Sequence, residues 1–249
     1  MAGTRTSTVL LLTAAGALVG LTASADAAVQ VITLRSGQVG GLPGVAGQPD
    51  DIVTYRPGNP PGAPASGSAF NAADFSGAVS GPPAYVINPY LPFWTPGISD
   101  PLARWINFDG SFVNPDGTPG PGYGNPGSAL YAVPFVVTLG TITSATLSIE
   151  YAVDDWLGDG LGFGPNPDGI YVNGSPIGYF GGGFTSSSFH NQNITAWVTP
   201  GLNYLYLYQR DAGALVSGLI FSARITVVPS AGPAALAGLA GLCVLRRRR

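Results

Sequence analysis

From Tyr131 to Val227 apolar side chains recur at every second position, segment after segment, and this period fixes the class of fold. In Tyr131 to Leu139, the residues Tyr131, Val133, Phe135, Val137 and Leu139 share one face. In Thr146 to Val153, Leu147, Ile149, Tyr151 and Val153 face in, while Thr146, Ser148 and Glu150 face out. Leu205 and Leu207 oppose Tyr204, Tyr206 and Tyr208. Leu219, Phe221, Ala223, Ile225 and Val227 make a further apolar face, with Arg224 and Thr226 outside it. Ile170-Tyr171-Val172 runs into Asn173-Gly174, a dipeptide suited to the tight turn of a hairpin. A period of two cannot lay an apolar stripe along a helix, so these segments predict short strands in an antiparallel β-sandwich.

Composition supports the same class. Gly (37) and Pro (23) supply the turns, and 45% hydrophobic residues are too many for a disordered chain. Charged residues are only 9%, and all ten basic residues are Arg, which excludes a coiled coil, a helical bundle and a nucleic-acid binder. Outside the two ends a helical signal is confined to Ser68–Phe75, where Ser68 is placed to cap one short turn. Residues 36–100 are rich in Gly/Pro clusters. They are expected to add an edge strand or two, with long loops draped over the same sandwich. Val29–Leu34 and Tyr85–Ile87 are the strand candidates there.

The ends read differently from the body. Residues 1–28 have the pattern of a secretory signal peptide: Arg5, an apolar stretch from Val9 to Leu21, and small residues at Ala25 to Ala28. At the other end, Val228-Pro229-Ser230-Ala231-Gly232 precedes an apolar run, Ala234 to Leu245, and then Arg246, Arg247, Arg248 and Arg249. Both terminal segments are expected to be short helices, and the arginines place the last residues in the cytoplasm. Motif, apolar run and Arg cluster together resemble the PEP-CTERM sorting signal, in a Val-Pro-Ser-x-Gly form with Pro229-Ser230-Ala231 where Pro-Glu-Pro is usual. The resemblance implies an exported bacterial protein whose tail is held transiently in the inner membrane. An exosortase-type enzyme would be its processing partner. The expected organisation is residues 1–28 signal peptide, 29–228 one β-sandwich (29–100 irregular, 101–228 the core) and 229–249 the sorting tail.

The body between those ends carries five arginines against twelve acids, a net charge of −7, which argues against binding a phosphate backbone. The chain's one cysteine, Cys243, lies in the tail, so the body has no disulfide to lean on. Arg104-Trp105-Ile106, Ala152-Val153-Asp154-Asp155, Val172-Asn173-Gly174 and Gly201-Leu202-Asn203-Tyr204-Leu205, in that order, resemble a galactose-binding-like jelly roll, a module often attached to secreted enzymes and surface proteins. That resemblance implies a fold more than a ligand.

Few residues are suited to catalysis. Glu150 is the body's sole Glu, and His190 is the sole His, set in a Ser/Asn-rich stretch with Ser186 to Ser188 nearby. Neither Gly-x-Ser-x-Gly, a His/Cys zinc cluster nor a phosphate loop is present. Asp154, Asp155, Asp159 and Asp168 form the densest acidic run, and hard oxygen ligands this close suit calcium. Trp156, in a Gly/Asp loop, is the best candidate for stacking on a sugar ring, and Trp105 and Trp197 read as core. The Tyr204, Tyr206, Tyr208 stripe is either a carbohydrate-binding face or the underside of the N-terminal segment, the latter being favoured. The sequence therefore points to a non-catalytic, exported envelope or matrix protein, structural or carbohydrate-binding. The rivals are a secreted hydrolase with an Asp-based site and a protein-protein assembly module.

Overall fold

The structure is a computed structural model that describes residues 28–58, 64, 66–110, 126–178, 181–213 and 215–230. The expected signal peptide, apart from Ala28, and the tail residues Gly232 and Arg246 to Arg249 lie outside the described residues, as do the two terminal helices expected there.

The strands follow the alternation closely. In chain order they are β1 (Gln30–Arg35), β2 (Gln38–Val39), β3 (Leu42–Pro43), β4 (Pro49–Pro57), then the helix α1 (Ala72–Val79), β5 (Pro83–Val86), β6 (Ile106–Asn107), β7 (Ala129–Val137), β8 (Ile142–Asp154), β9 (Trp156–Leu157), β10 (Ile170–Val172), β11 (Ser175–Pro176), β12 (Ser188–Asn193), β13 (Gly201–Arg210) and β14 (Gly218–Pro229). Every pairing is antiparallel, and one large sheet runs β11-β10-β13-β7-β4-β5-β6-β14-β8-β12, with β1 added on β14 and β9 on β13.

This sheet curls. Its long strands fall into two groups, β10-β13-β7-β4 and β14-β8-β12, joined through the short β5 and β6. The same faces the sequence marks as apolar meet in one core: Tyr131, Val133 and Phe135 of β7, Leu205 and Leu207 of β13, Leu147, Ile149, Tyr151 and Val153 of β8, and Leu219, Phe221 and Ile225 of β14. Alternation puts each of these side chains on one side of its strand, so curling is what lets both groups bury them at once. At the hairpin, Asn173 and Gly174 both take positive φ, 51° and 80°, as the Asn-Gly turn demands.

Two features depart from expectation. β4 is not an edge strand: it lies between β7 and β5, inside the sheet. Its sequence alternates weakly (Val53 and Tyr55 are its buried apolar residues), which hides it among the prolines. β12 is a true strand paired with β8, although Ser188–Asn193 reads as a polar loop. An edge strand with half its residues in water needs no apolar face, so period-two hydropathy could not reveal it.

Helix α1 covers the outer face of β7, β13 and β10. Its cap is Asn71 rather than Ser68. Asn71 Oδ1 accepts from Ala73 N at 2.8 Å, and Asp74 Oδ2 accepts from Asn71 N at 2.8 Å, a reciprocal capping box. Asp74 also pairs with Arg56 of β4, which ties the helix to the sheet. Phe75 then packs on Tyr206 with ring centroids 4.8 Å apart, and Phe70 packs edge-on against Tyr208 at 4.9 Å.

Two substitutions test this frame. Leu147 is fully buried between the two groups of strands, and Leu147→Ala is expected to cost about 2–5 kcal/mol in denaturant unfolding. Asn71→Ala removes only a cap and is expected to cost about 0.5–2 kcal/mol. Equal costs for the two would place α1, rather than the inter-strand core, at the centre of stability.

Candidate functional site

The outer face of the β8–β14 pair is not left to solvent. Ala152 and Ile220 stand opposite each other on it, and the segment from Ile87 to Trp105 folds over them. Two indoles fill the space. Trp94 and Trp105 lie with ring centroids 4.4 Å apart, 2% and 1% exposed. Each indole N–H finds an acceptor: Trp105 Nε1 donates to Thr95 O at 3.1 Å, and Trp94 Nε1 donates to Asp154 Oδ2 at 2.9 Å. The segment is pinned at two further points, by Thr95 N to Phe184 O at 2.7 Å and by Ser99 N to Glu150 Oε1 at 3.0 Å. Burial works to raise the Glu150 pKa, but the hydrogen bonds from Ser99 outweigh it and hold the carboxyl below its ordinary value.

Where this segment meets the end of β8 it leaves a cavity of about 280 Å³. Tyr90, Phe93, Trp94 and Phe184 supply aromatic walls, Leu215 and Val216 an aliphatic side, and Asp154 and Asp155 the polar floor. Phe93 is 59% exposed and stacks on Tyr90 with centroids 5.3 Å apart, so the mouth is an open aromatic rim.

The floor is a coupled carboxylate pair. Asp154 is the last residue of β8 and is 6% exposed. Asp155 is half-buried, and its Oδ2 accepts from Ala212 N at 2.7 Å and Gly213 N at 2.9 Å. Burial pushes the Asp154 carboxyl up to about 8; the hydrogen bond with Asp155 and the charges of Asp155 and Asp211 add to the rise, and Trp94 offsets a little of it. Asp211 is fully buried close by, and burial raises it to about 6 despite a hydrogen bond from Gly213. Like charges this close cannot all ionise, so the pair holds a proton at neutral pH.

The sequence-predicted residues fall in different places. Asp154 and Asp155 meet in the cavity, but Asp159 and Asp168 do not join them as a calcium cage. Asp159 accepts from the Tyr208 hydroxyl at 3.0 Å and from Asn166 N at 2.9 Å, and Arg210 Nε stands 3.5 Å away. That arginine already supplies the positive charge a metal would bring. Among the described residues no three His, Cys, Asp or Glu side chains gather as a metal-binding group. Trp156 is 41% exposed on β9, one residue beyond Asp155, as a stacking residue requires. The tyrosine stripe divides: Tyr208 is fully buried and Tyr206 5% exposed beneath α1, leaving no room for a sugar on Tyr208. Tyr204 is half-buried beside a groove of about 630 Å³ that Phe70, Asn71, Phe75, Asn173 and Tyr206 also line. His190 stands on β12 opposite Ile149, away from the Asp154 end of β8, and burial lowers its pKa. Val228 and Pro229, expected to begin a sorting motif, are the last residues of β14, and Ser230 N donates to Thr141 O at 3.0 Å.

Tyr90, Phe93, Phe184 and Asp211 were missed by the sequence reading. The one available signal was Tyr90-Leu-Pro-Phe93-Trp94, an aromatic cluster inside a stretch otherwise thin in apolar residues.

No family model and no curated protein matches the sequence. Among solved structures, the chain is similar to the CBM36-1 domain of a multidomain xylanase from the hindgut metagenome of Trinervitermes trinervoides, at 12% identity and a TM-score of 0.28, over 52% of this chain and 82% of that one. It is also similar to an uncultured Clostridium sp. β-glucuronidase, at 13% identity and a TM-score of 0.35, over 82% of this chain and 30% of that one. The chain thus spans under a third of the glucuronidase's length.

The raised Asp154 pKa sets a pH dependence. In the unfolded chain an aspartate ionises near about 3.9. Folded, Asp154 keeps its proton to about pH 8, so ionisation favours unfolding between those values. Its contribution to stability is full below the unfolded value and is lost as pH rises to about 8. Asp211, raised to about 6, acts in the same sense over the lower part of that range. Asp154→Asn keeps an acceptor for Trp94, so its melting temperature should gain on the native protein as pH rises from about 6 to 8. A constant difference across that range would place the Asp154 pKa near its ordinary value.

Proposed function

We propose that the protein is an exported, non-catalytic carbohydrate-binding protein of the bacterial cell envelope or extracellular matrix, and that the cavity between Phe93 and Asp154 is its sugar site. The observation that carries this reading is the pairing of an exposed aromatic rim with a carboxylate floor. Sugar rings offer flat C–H faces to aromatic side chains and hydroxyl donors to acceptors, and a small apolar cavity with a few convergent polar groups suits them. Trp156 adds an exposed indole next to the floor in sequence. The curled sheet, whose two groups of strands share one core, supports reading the fold as a β-sandwich of the jelly-roll kind.

A second reading, a hydrolase acting through Asp154 and Asp155, draws on the raised pKa of Asp154. Distance argues against a glycosidase. Such enzymes hold their two carboxyls roughly 5–9.5 Å apart, with the scissile bond between them. Asp154 and Asp155 are hydrogen-bonded to each other, which leaves no such gap.

Export is read from residues 1–28, and sorting from Val228 to Arg249 with an exosortase-type enzyme as partner. Among the described residues no helix is long and apolar enough to cross a membrane.

A polysaccharide array is expected to show binding that Phe93→Ala weakens at least about tenfold, the loss of one stacked ring. Unchanged binding in that variant would move the site elsewhere. Reducing-sugar assays on the same glycans should stay at background; release abolished by Asp154→Asn would establish the hydrolase instead. Mass spectrometry of the mature protein is expected to find neither residues 1–28 nor any peptide beyond about Pro229. Intact Arg246 to Arg249 would rule out processing of the tail.

A further inference from the structure

We infer that the cavity takes a sugar bearing a free, positively charged amine, with the amine against Asp154 and Asp155 and the ring against Tyr90, Phe93 and Phe184. This rests on the carbohydrate-binding reading and narrows it to one class of glycan.

The argument is one of charge. The groups whose charges act on Asp154 are Asp155 and Asp211, both negative. Arg35, Arg56 and Arg210 are paired with Asp100, Asp74 and Asp159, and the body has no lysine. Arg104 donates to the Pro101 and Ala103 carbonyls, and Arg224 of β14 stands opposite Ser148. Among the described residues the charges acting on the floor are therefore negative, and Asp154 keeps its proton. A hydroxyl entering the cavity offers one neutral hydrogen bond and leaves the repulsion in place. An ammonium group replaces the shared proton, lets both carboxyls ionise and gains charge-assisted hydrogen bonds. The walls favour the same ligand, since aromatic faces attract cations. The same field repels a uronic acid, whose carboxylate would be a third negative charge at the floor. The Tyr90 phenol also lines the cavity wall.

The test compares three probes on the purified full-length protein at pH 6.5 by isothermal titration calorimetry: a glucosamine tetramer, its fully N-acetylated counterpart and a galacturonate tetramer. The glucosamine tetramer is expected to bind at least about tenfold tighter than the acetylated one, the size of one charged hydrogen bond, and the galacturonate tetramer weakest. The double variant Asp154→Asn/Asp155→Asn, with its melting curve as a check on folding, should bring the first ratio near one. Phe93→Ala should weaken both neutral and amine-bearing probes together. Equal affinity for the amine-bearing and acetylated tetramers overturns the inference and leaves the carbohydrate reading standing. Absence of binding by every probe, with a blank polysaccharide array, overturns both. An amine preference that survives in the folded double variant assigns it to the overall negative charge of the protein, and overturns the inference too.

Discussion

The antiparallel ladder between β8 and β14 is the constraint on which the rest of the structure depends. It runs in one register from Asp154↔Gly218 to Ser144↔Val228. One face of that ladder supplies ten of the 28 buried residues of the main core, and the other seats Trp94 and Trp105 through Ala152 and Ile220. A shift of register by one residue would exchange the two faces. It would expel Leu147 and Phe221 from the core and, with the same step, dissolve the platform on which the aromatic segment rests.

The site is a consequence of where that ladder ends. Asp154 is the residue at which β8 stops being a core strand, so it is buried by the structure around it yet points at the cavity. Its neighbour Asp155, at the same end of the cavity, is held by two backbone N–H groups. Burial and like charge, not a catalytic partner, account for the proton the pair retains. The aromatic walls come from a distant stretch of chain, and Trp94 joins the two parts through a single hydrogen bond.

Much of the fold was legible because the decisive strands bury one face. Leu147, Ile149, Tyr151 and Val153, or Leu219 through Val227, announce their burial by period two, and Asn173-Gly174 announces its turn. β12 was illegible because an edge strand of Ser, Asn and Gln satisfies its backbone without an apolar face. β4 was masked by the prolines at its ends. The site was half legible. The Asp154–Asp155 pair stood out as the sharpest acidic run, but a run in sequence does not say which carboxylates converge. Asp159 turned instead toward Arg210 and Tyr208, and Asp211, just past the end of β13, arrived fifty-odd residues later. The aromatic rim came from a segment whose Gly/Pro content argued for loops, and a loop folded over a sheet leaves no periodic trace.

The two ends of β14 give the molecule a mechanical axis. The cavity floor closes the ladder at the Gly218 end, and the chain leaves it at Pro229, roughly 37 Å away at about 3.4 Å per residue. Near that exit β14 is clamped on both edges, by β8 and by β1, with Gln30 opposite Val227. A protein tethered beyond Pro229 and gripping a glycan at Asp154 would carry tension along its strands. Hydrogen bonds of an antiparallel ladder pulled lengthwise share the load in shear and must fail together, whereas a strand lifted from its end peels bond by bond. Under the proposed function the body would be a strut between tether and ligand, resisting in the one direction in which a surface matrix would pull.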